Sequence, residues 1–300
     1  MRRSRAFTLV EILVVIAIIS FLVMIMIPAF LAGAGSARRI QCINNLKQVS
    51  LALLNYETVR GALPAGCWAD SRPVKNSREG YQLSWVASIL PSMEQAHIYS
   101  TINFRLGADS AANSTAFVTR INTLLCPSGA RDLGDAPTGW FLRRTNRLNP
   151  GPTGKTSPGP GLTLYAACHH DVEAPIDVDN RGVMYLNSRV RFIDVTDGLS
   201  STILLGEVQK ASPLGWATGT RATLRNTGHP LNEEGAADAD GKPAVSPEFV
   251  GGFGSFHQGD GANFGFCDGS VRFIKRTVAR AVYEHLGNRQ DGEPLDESDY

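Results

Sequence analysis

Residues 7–31 read FTLVEILVVIAIISFLVMIMIPAFL, and this apolar stretch decides the fold of the chain. About 20 apolar residues suffice to cross the hydrocarbon core of a membrane as an α-helix, so the stretch is long enough for one transmembrane helix. Arg2, Arg3 and Arg5 precede it. Because basic residues next to a membrane helix stay on the cytoplasmic side, the bulk of the chain is expected outside.

Glu11 is the only charged side chain between Phe7 and Ala37. A carboxylate inside the bilayer costs roughly 2.5–3.5 kcal/mol on insertion scales, so such a residue usually has a partner. A secretory signal peptide would be cut after its apolar core, and the small residues at 32–36 offer such a site. The length of the apolar run and its early carboxylate favour a retained anchor over a removed signal.

The helix is predicted to continue beyond the apolar run to about Val59. Apolar residues recur there at near-helical spacing, namely Ile40, Ile43, Leu46 and Leu53. Glycine and proline at 61–66 then end the pattern. Residues 32–60 are therefore predicted to be the exposed half of a stem helix.

The rest of the chain is predicted to form short strands. The 30 glycines and 16 prolines of the whole chain lie mostly beyond residue 60, and they favour turns between such strands. Strands are expected at 183–195 and 202–208, and a short helix at 278–286. Asp268-Gly269 between apolar runs predicts a hairpin with both turn residues at positive φ. The predicted fold class is α+β, with a long, half-transmembrane N-terminal helix packed on a mostly antiparallel sheet.

The chain is thus divided into five segments. These are a basic leader at 1–6, a transmembrane and assembly segment at 7–31, the outer stem at 32–60, an extracytoplasmic α+β domain at 61–285 and an acidic, solvated tail at 286–300.

The string RAFTLVE at residues 5–11 strongly resembles the prepilin cleavage and methylation motif. The resemblance implies that a prepilin peptidase cuts between Ala6 and Phe7 and methylates the new amine of Phe7. The usual residue before the cut is glycine, whereas this chain has Ala6. The ammonium freed on one subunit can neutralise Glu11 of its neighbour inside a bundle of apolar helices, which fixes their axial stagger.

Further motifs are similar to one bacterial family across nearly the whole chain. They are CINNLKQ from Cys42, SW from Ser84 through LP at Leu90, LCPS from Leu125, DGLSST from Asp197 with Glu207 behind it, and His257 before Asp268-Gly269. They resemble, in the family order, a domain-of-unknown-function family that is fused to prepilin-type leaders and named for a C-terminal H-X9-DG motif. Here ten residues separate His257 from Asp268, one more than in that motif.

His257 and Asp268 are candidates for an acid/base pair, or for a cation site together with Asp260. The alternative is a hairpin whose His and Asp side chains bond backbone groups at its ends. The sequence favours this alternative because it places no nucleophile beside the pair. No catalytic residue is therefore assigned.

Asp194, Asp197 and Glu207 flank a turn, and calcium binding there is a further alternative, although their spacing is not that of an EF-hand loop. Asp197 is more simply a turn former. The string CHHD at 168–171 lacks a second ligand cluster with zinc-site spacing and is predicted to be a loop. Apart from this calcium alternative, no cofactor is expected.

Five cysteines lie on the side expected to be exported, where disulfides can persist. Two bridges among five cysteines allow fifteen connectivities. A bridge between Cys42 and Cys126 is expected because it would tie the stem helix to the external domain. Cys267, beside the Asp268 turn, is expected to be a buried free thiol.

The net charge of +1 gives no field that would attract nucleic acid, so no such partner is expected. The resemblance implies a structural, non-enzymatic function as a pseudopilin or minor pilin of a type II secretion or type IV pilus-like machine. Its expected partners are a prepilin peptidase, other pilin-like subunits and their assembly machinery. Its expected place is the bacterial inner membrane, as a single-pass protein with a cytoplasmic N-terminus and an extracytoplasmic C-terminal domain, or within a pilus-like fibre.

The alternative function belongs to another class. In it the leader and the apolar helix serve only as an anchor, and the external domain is a ligand-binding protein or a hydrolase that uses His257 and Asp268.

Overall fold

The computed structural model describes residues 9–77, 79–130, 159–233, 246–257, 259–293, 295 and 300, and for 25–34 and 130 it describes the backbone alone. Its first element is a helix of 52 residues, α1 (Leu9–Arg60). At 1.5 Å per residue, α1 is about 78 Å long. It ends at the glycine and proline cluster, as the sequence predicts.

The two ends of α1 have different surroundings. Every large apolar side chain at 9–24 is exposed. From Cys42 onward one face is buried, and its apolar residues are Cys42, Leu46, Val49, Ala52 and Leu53. Since these residues recur at helical spacing, a single stripe of α1 packs on the external domain. No helix in the described part of the chain combines the length and the apolar character that a membrane span requires.

The strands form a two-stranded and a five-stranded sheet. In chain order they are β1 (Cys67–Ala69), β2 (Gln82–Ser84), β3 (Tyr165–His170), β4 (Ile203–Glu207), β5 (Leu224–Asn226), β6 (Gly261–Phe266) and β7 (Val271–Lys275). Strands β1 and β2 pair antiparallel. The larger sheet has the order β5-β3-β4-β6-β7. Within it β3 and β5 pair in parallel, and the other neighbours are antiparallel.

Short helices complete the domain. They are α2 (Trp85–Ile89), α3 (Ala96–Tyr99), α4 (Ser114–Phe117), α5 (Pro127–Ala130) and α6 (Arg280–Leu286). Strand β6 shows how the sheet lies between α1 and α6. Its Phe264 packs edge-on against Tyr283 of α6, whereas its Gly265 faces Ser50 of α1. The predicted α+β class, a long helix on a mostly antiparallel sheet, is therefore confirmed.

Gly265 allows α1 to lie directly on the sheet. A Cβ atom at this position would come within 2.5 Å of Ser50 Oγ, which is far inside van der Waals contact. A larger residue at 265 would push the buried stripe of α1 away from β4 and β6. The close contact between α1 and the sheet therefore depends on glycine, which has no side chain, at position 265.

The predicted hairpin is present, but its turn is longer than the sequence suggested. Strands β6 and β7 pair from Gly261 with Lys275 to Gly265 with Val271, and the loop between them includes Asp268 and Gly269. Only Gly269 of that dipeptide has positive φ, at +84°. Asp268 instead closes the turn by accepting a hydrogen bond from Ser270 N at 2.8 Å.

The strand predicted at 183–195 was wrong. Val183, Met184 and Leu186 are buried as expected for a strand, but the segment is an irregular chain with a single bridge between Cys67 and Leu186, followed by a 3-10 helix at Phe192–Asp194. Its backbone N–H groups bond different neighbours, such as Met184 N to Cys168 O and Asn187 N to Cys67 O. The buried apolar residues of this segment give the same sequence pattern as a buried strand.

Only the beginning of the tail at 286–300 departs from the prediction of a solvated segment. Asn288 is buried and donates to Asp171 Oδ2 at 2.8 Å. Arg289 donates to the backbone oxygens of Asn180 and Gly182. Residues 287–289 therefore pack on the domain, whereas 290–293, which include the acidic Asp291 and Glu293, are exposed as the sequence predicts.

Candidate functional site

His257 forms its closest side-chain contact with Glu207. Glu207 is the last residue of β4, and His257 lies in the segment that leads to β6. His257 Nε2 lies 2.8 Å from Glu207 Oε1, and both side chains are almost completely buried. An acidic group and an imidazole that are 50 residues apart in sequence are thus joined in the interior.

The Glu207 carboxylate is fixed on its other side by β6. Its Oε2 accepts hydrogen bonds from Asn263 N at 2.7 Å and from Asn263 Nδ2 at 2.9 Å. A buried carboxylate needs such donors, because an ionised group that is removed from water without partners costs several kcal/mol. The carboxylate therefore has a defined orientation toward His257.

Cys42 of α1 and Cys126, just before α5, are joined by a disulfide with their Cα atoms 5.0 Å apart. These are the two cysteines that the sequence analysis paired. Cys126 Sγ also lies 3.6 Å from His257 Nε2. One ligand atom from each of Cys42, Cys126, Glu207 and His257 lies within 4.8 Å of all the others. We call these four residues the buried cluster.

A pocket of about 220 Å³ reaches the buried cluster from the side of the stem. It is lined by Gly35, Ser36, Arg38, Arg39, Ser128, Phe256 and His257. The guanidinium of Arg39 lies 3.9 Å from the centre of the Phe273 ring, a cation–π contact that holds it at the pocket. The pocket is therefore lined by cationic and polar groups and lies where α1 leaves the domain.

Cys67, Cys168 and Cys267 are free and buried. Burial raises the pKa of Cys67 to about 12, and burial also raises the pKa of the Cys168 and Cys267 thiols. These thiols stay protonated at neutral pH, so they are poor nucleophiles and poor metal ligands. Cys267 is the buried free thiol that the sequence analysis expected.

The pairing of His257 with Asp268 that the sequence suggested is replaced by the pairing with Glu207. Asp268 bonds its own turn and lies 3.9 Å from Arg272. The sequence had grouped Glu207 with Asp194 and Asp197 because they are close in the chain. The overlooked signal is that Glu207, His257 and both bridged cysteines all belong to the family motifs.

The other aspartates proposed as cation ligands bond protein groups. Asp194 forms a two-pronged pair with Arg191, and hydrogen bonds from this arginine lower the pKa of Asp194 to about 2. Asp197 accepts the backbone N–H groups of residues 291 and 292. Asp260 accepts from Asn232 and lies 3.9 Å from Arg276. Within the described ranges, the buried cluster is the one group with at least three ligand atoms close enough to hold a metal ion.

The string CHHD at 168–171 begins on strand β3 and is buried, not a loop. His169 bonds Asn180, and His170 bonds the adjacent Asp171. Burial lowers the pKa of His169 to about 3, so this imidazole is neutral in the folded protein. Residues 168–171 therefore form a buried polar network beneath the start of the C-terminal tail.

The N-terminal processing site lies partly outside the described residues. This applies to Ala6 and Phe7, whereas Glu11 lies in the first turn of α1. Around Glu11 the apolar side chains of α1 are exposed, including Val10 and Ile12.

Comparison with known proteins identifies both parts of the chain. The family model described as "Protein of unknown function (DUF1559)" matches residues 35–281, and the model described as "Prokaryotic N-terminal methylation motif" matches residues 1–27. The searches of curated proteins and of solved structures gave no match. The resemblance noted from the sequence is thereby confirmed. The chain belongs to the DUF1559 family of proteins of unknown function and carries a prepilin-like N-terminal methylation motif, which points to a protein of the type IV pilin or pseudopilin kind.

Proposed function

We propose that the protein is a structural subunit, a pseudopilin or minor pilin, of a type II secretion or type IV pilus-like assembly. The observation that carries this proposal is the methylation motif at the start of a 52-residue helix. In such an assembly α1 packs among the stems of sister subunits, and the external domain forms the outer surface. No enzymatic activity is part of the proposal.

The exposed apolar end of α1 supports an assembly role. At 9–24 the large apolar side chains point in all directions around the helix, and the described part of the chain buries none of them. A helix that is apolar on every side needs lipid or other apolar helices around it. We propose that residues 7–31 cross the inner membrane once before assembly, with the leader cytoplasmic and the domain outside.

Processing by a prepilin peptidase would prepare this helix for assembly. The peptidase cuts between Ala6 and Phe7 and methylates the new N-terminus. The resulting ammonium of one subunit then pairs with Glu11 of the next. Such a pair is strong in an apolar bundle, because the low dielectric leaves two opposite charges poorly screened.

Analysis of the N-terminus tests the proposal. We expect membrane-extracted protein to begin at N-methylated Phe7 by intact mass and N-terminal peptide sequencing. The same protein from a host without prepilin peptidase should begin at Met1. A chain that begins at Met1 in the intact host, or near Ser36, would contradict processing and favour a simple anchor.

The charge pair at Glu11 gives a second test. Glu11→Gln should abolish recovery of the protein in sheared fibres or in cross-linked subunit ladders, while its amount in the membrane stays the same. Ser20→Ala, on the same exposed end of α1, is the matched control and should assemble normally. Undiminished assembly of the Glu11 variant would contradict the proposed pairing.

The pocket beside His257 favours a second candidate function, a membrane-tethered ligand-binding protein. Arg38, Arg39 and Ser128 give this pocket the polarity that an anionic ligand needs. The hydrolase form of this alternative relied on His257 with Asp268, and His257 instead bonds Glu207. The N-terminal analysis separates the two functions, because only assembly requires a chain that begins at Phe7.

A further inference from the structure

We propose that the buried cluster is a zinc site when its disulfide is reduced. In that state Cys42, Cys126, His257 and Glu207 would hold one Zn²⁺. With the disulfide formed, the same residues would hold none. The proposal concerns the external domain and does not depend on how the N-terminus is processed.

The donor set has the chemistry that zinc prefers. Two thiolates, one imidazole and one carboxylate give four ligands, and zinc in structural sites is almost always tetrahedral with four ligands of these types. Thiolate ligands also disfavour hard ions such as calcium and magnesium, which take oxygen ligands. Since all four positions are filled by protein groups, the proposed site is structural.

The distances already approach those of a tetrahedral site. Zinc–ligand bonds of about 2.3 Å to sulfur and about 2.0 Å to nitrogen place neighbouring S and N ligands about 3.5 Å apart. His257 Nε2 and Cys126 Sγ are 3.6 Å apart. The contact between His257 Nε2 and Glu207 Oε1 would widen from 2.8 Å to about 3.3 Å. These two distances therefore change by only about half an ångström or less on zinc binding, while the S–S bond opens and the other ligand atoms already lie within 4.8 Å of one another.

Groups outside the ligands hold them in place. Asn263 fixes Glu207 through two hydrogen bonds, and Ser255 Oγ accepts the backbone N–H of His257. Such outer contacts are typical of metal sites because they orient the ligands. The proposed site would carry one net negative charge, from two thiolates and a carboxylate around Zn²⁺. Arg38 and Arg39, which line the adjacent pocket, have the charge to offset it.

The change between the two states balances chemically. A dithiol reductant supplies two electrons and two protons, so the S–S bond breaks, two thiols form and the reductant becomes a disulfide. Zinc binding then releases the two thiol protons, and His257 binds through Nε2 as the tautomer protonated on Nδ1. Oxidation of the two thiolates by a disulfide oxidant re-forms the bridge and expels the metal.

Metal binding by the full-length chain in detergent tests the proposal, with Co²⁺ as a spectroscopic substitute for Zn²⁺. The protein reduced by a dithiol and freed of excess reductant should bind one Co²⁺ per chain. It should show thiolate-to-cobalt charge transfer and the intense visible bands of a tetrahedral ion. Added Zn²⁺ should remove these bands, and the oxidised protein should show none.

Variants identify the ligands. Cys126→Ser and His257→Ala should each weaken binding by more than about 100-fold, which exceeds the loss expected when only an outer partner is removed. A variant with alanine at the three free cysteines, Cys67, Cys168 and Cys267, should still bind one ion. The emission of the buried Trp85 and Trp216 reports whether each variant folds.

If a variant does not fold, metal binding by the reduced and the oxidised wild-type protein still tests the proposal. A reduced protein that takes up no metal would overturn the proposal, and so would binding by the oxidised form at the same affinity. If reduction unfolds the domain, Zn²⁺ must restore the native tryptophan emission. A reduced chain that stays unfolded with Zn²⁺ would also overturn it.

Discussion

The two ends of α1 carry similar apolar residues, but one end is exposed and the other is buried in the domain. At 9–24 the large apolar side chains are exposed, whereas Leu46, Val49 and Leu53 are completely buried against the sheet and short helices. The difference lies in the neighbours, not in the helix. The C-terminal end of α1 is part of the domain's own core, and the N-terminal end is a surface for something outside the chain.

The largest expected effect comes from removing the covalent link at the boundary between these two ends. Cys42 and Cys126 are 84 residues apart, and a bridge that closes a loop of this size stabilises a fold by about 4.6 kcal/mol in the chain-entropy model. The double variant Cys42→Ala/Cys126→Ala should lose about this much free energy of unfolding. Urea titration with a metal chelator present measures it.

The control for this loss is reduction of the wild-type protein. A dithiol should destabilise the wild type by a similar amount and leave the double variant unchanged. Equal urea midpoints for wild type and variant would mean that packing alone holds α1 to the domain.

Truncating one leucine at each end compares the two environments directly. Leu46→Ala leaves a cavity in the core and should lower the free energy of unfolding of the domain by about 3 kcal/mol. Leu13→Ala, at the exposed end, should change it by less than about 0.5 kcal/mol. The same urea titration serves both variants. Equal losses would show that the exposed end is also part of the cooperative fold.

The smallest expected effect is the pH dependence that one buried histidine gives to the domain's free energy of unfolding. Burial holds the pKa of His169 at about 3, whereas an unfolded histidine titrates near about 6.5. Between these values the unfolded chain binds a proton that the folded chain does not, so stability falls as the pH is lowered. The slope from this group reaches at most about 1.4 kcal/mol per pH unit.

The variant His169→Gln isolates that slope. It keeps an amide that can bond Asn180 but cannot take up a proton, so its stability should depend less on pH than that of the wild type. Urea titrations from about pH 7 down to about pH 4 measure the difference. The neighbouring Asp171, His170 and Arg225 are present in both proteins. Identical pH profiles would place the titrating group elsewhere.

What could be predicted from the sequence were the features with local causes. The helix α1 follows from residue spacing, and the β6–β7 hairpin follows from Asp268-Gly269 between apolar runs. The irregular segment at 183–195 could not be predicted, because buried apolar residues look alike in a strand and in an irregular chain. Its form depends on hydrogen bonds to residues far away in sequence.

In the buried cluster, too, contacts between residues far apart in the sequence could not be predicted. Cys42, Cys126, Glu207 and His257 were each noted in the sequence, and the disulfide pair was expected. The contact between Glu207 and His257 was not, because it needs the end of β4 and the segment before β6 to meet. Single-sequence reasoning found the members of the cluster but not their arrangement.

The bridge between Cys42 and Cys126 also determines how a pulling force would pass through the molecule. A force applied along the exposed end of α1 reaches Cys42, the first residue of the buried stripe, before it reaches Leu46. The covalent bond carries this force directly into the domain at Cys126. The leucine and valine contacts behind it are therefore shielded from peeling, and a stretched stem would bear its tension through one sulfur–sulfur link.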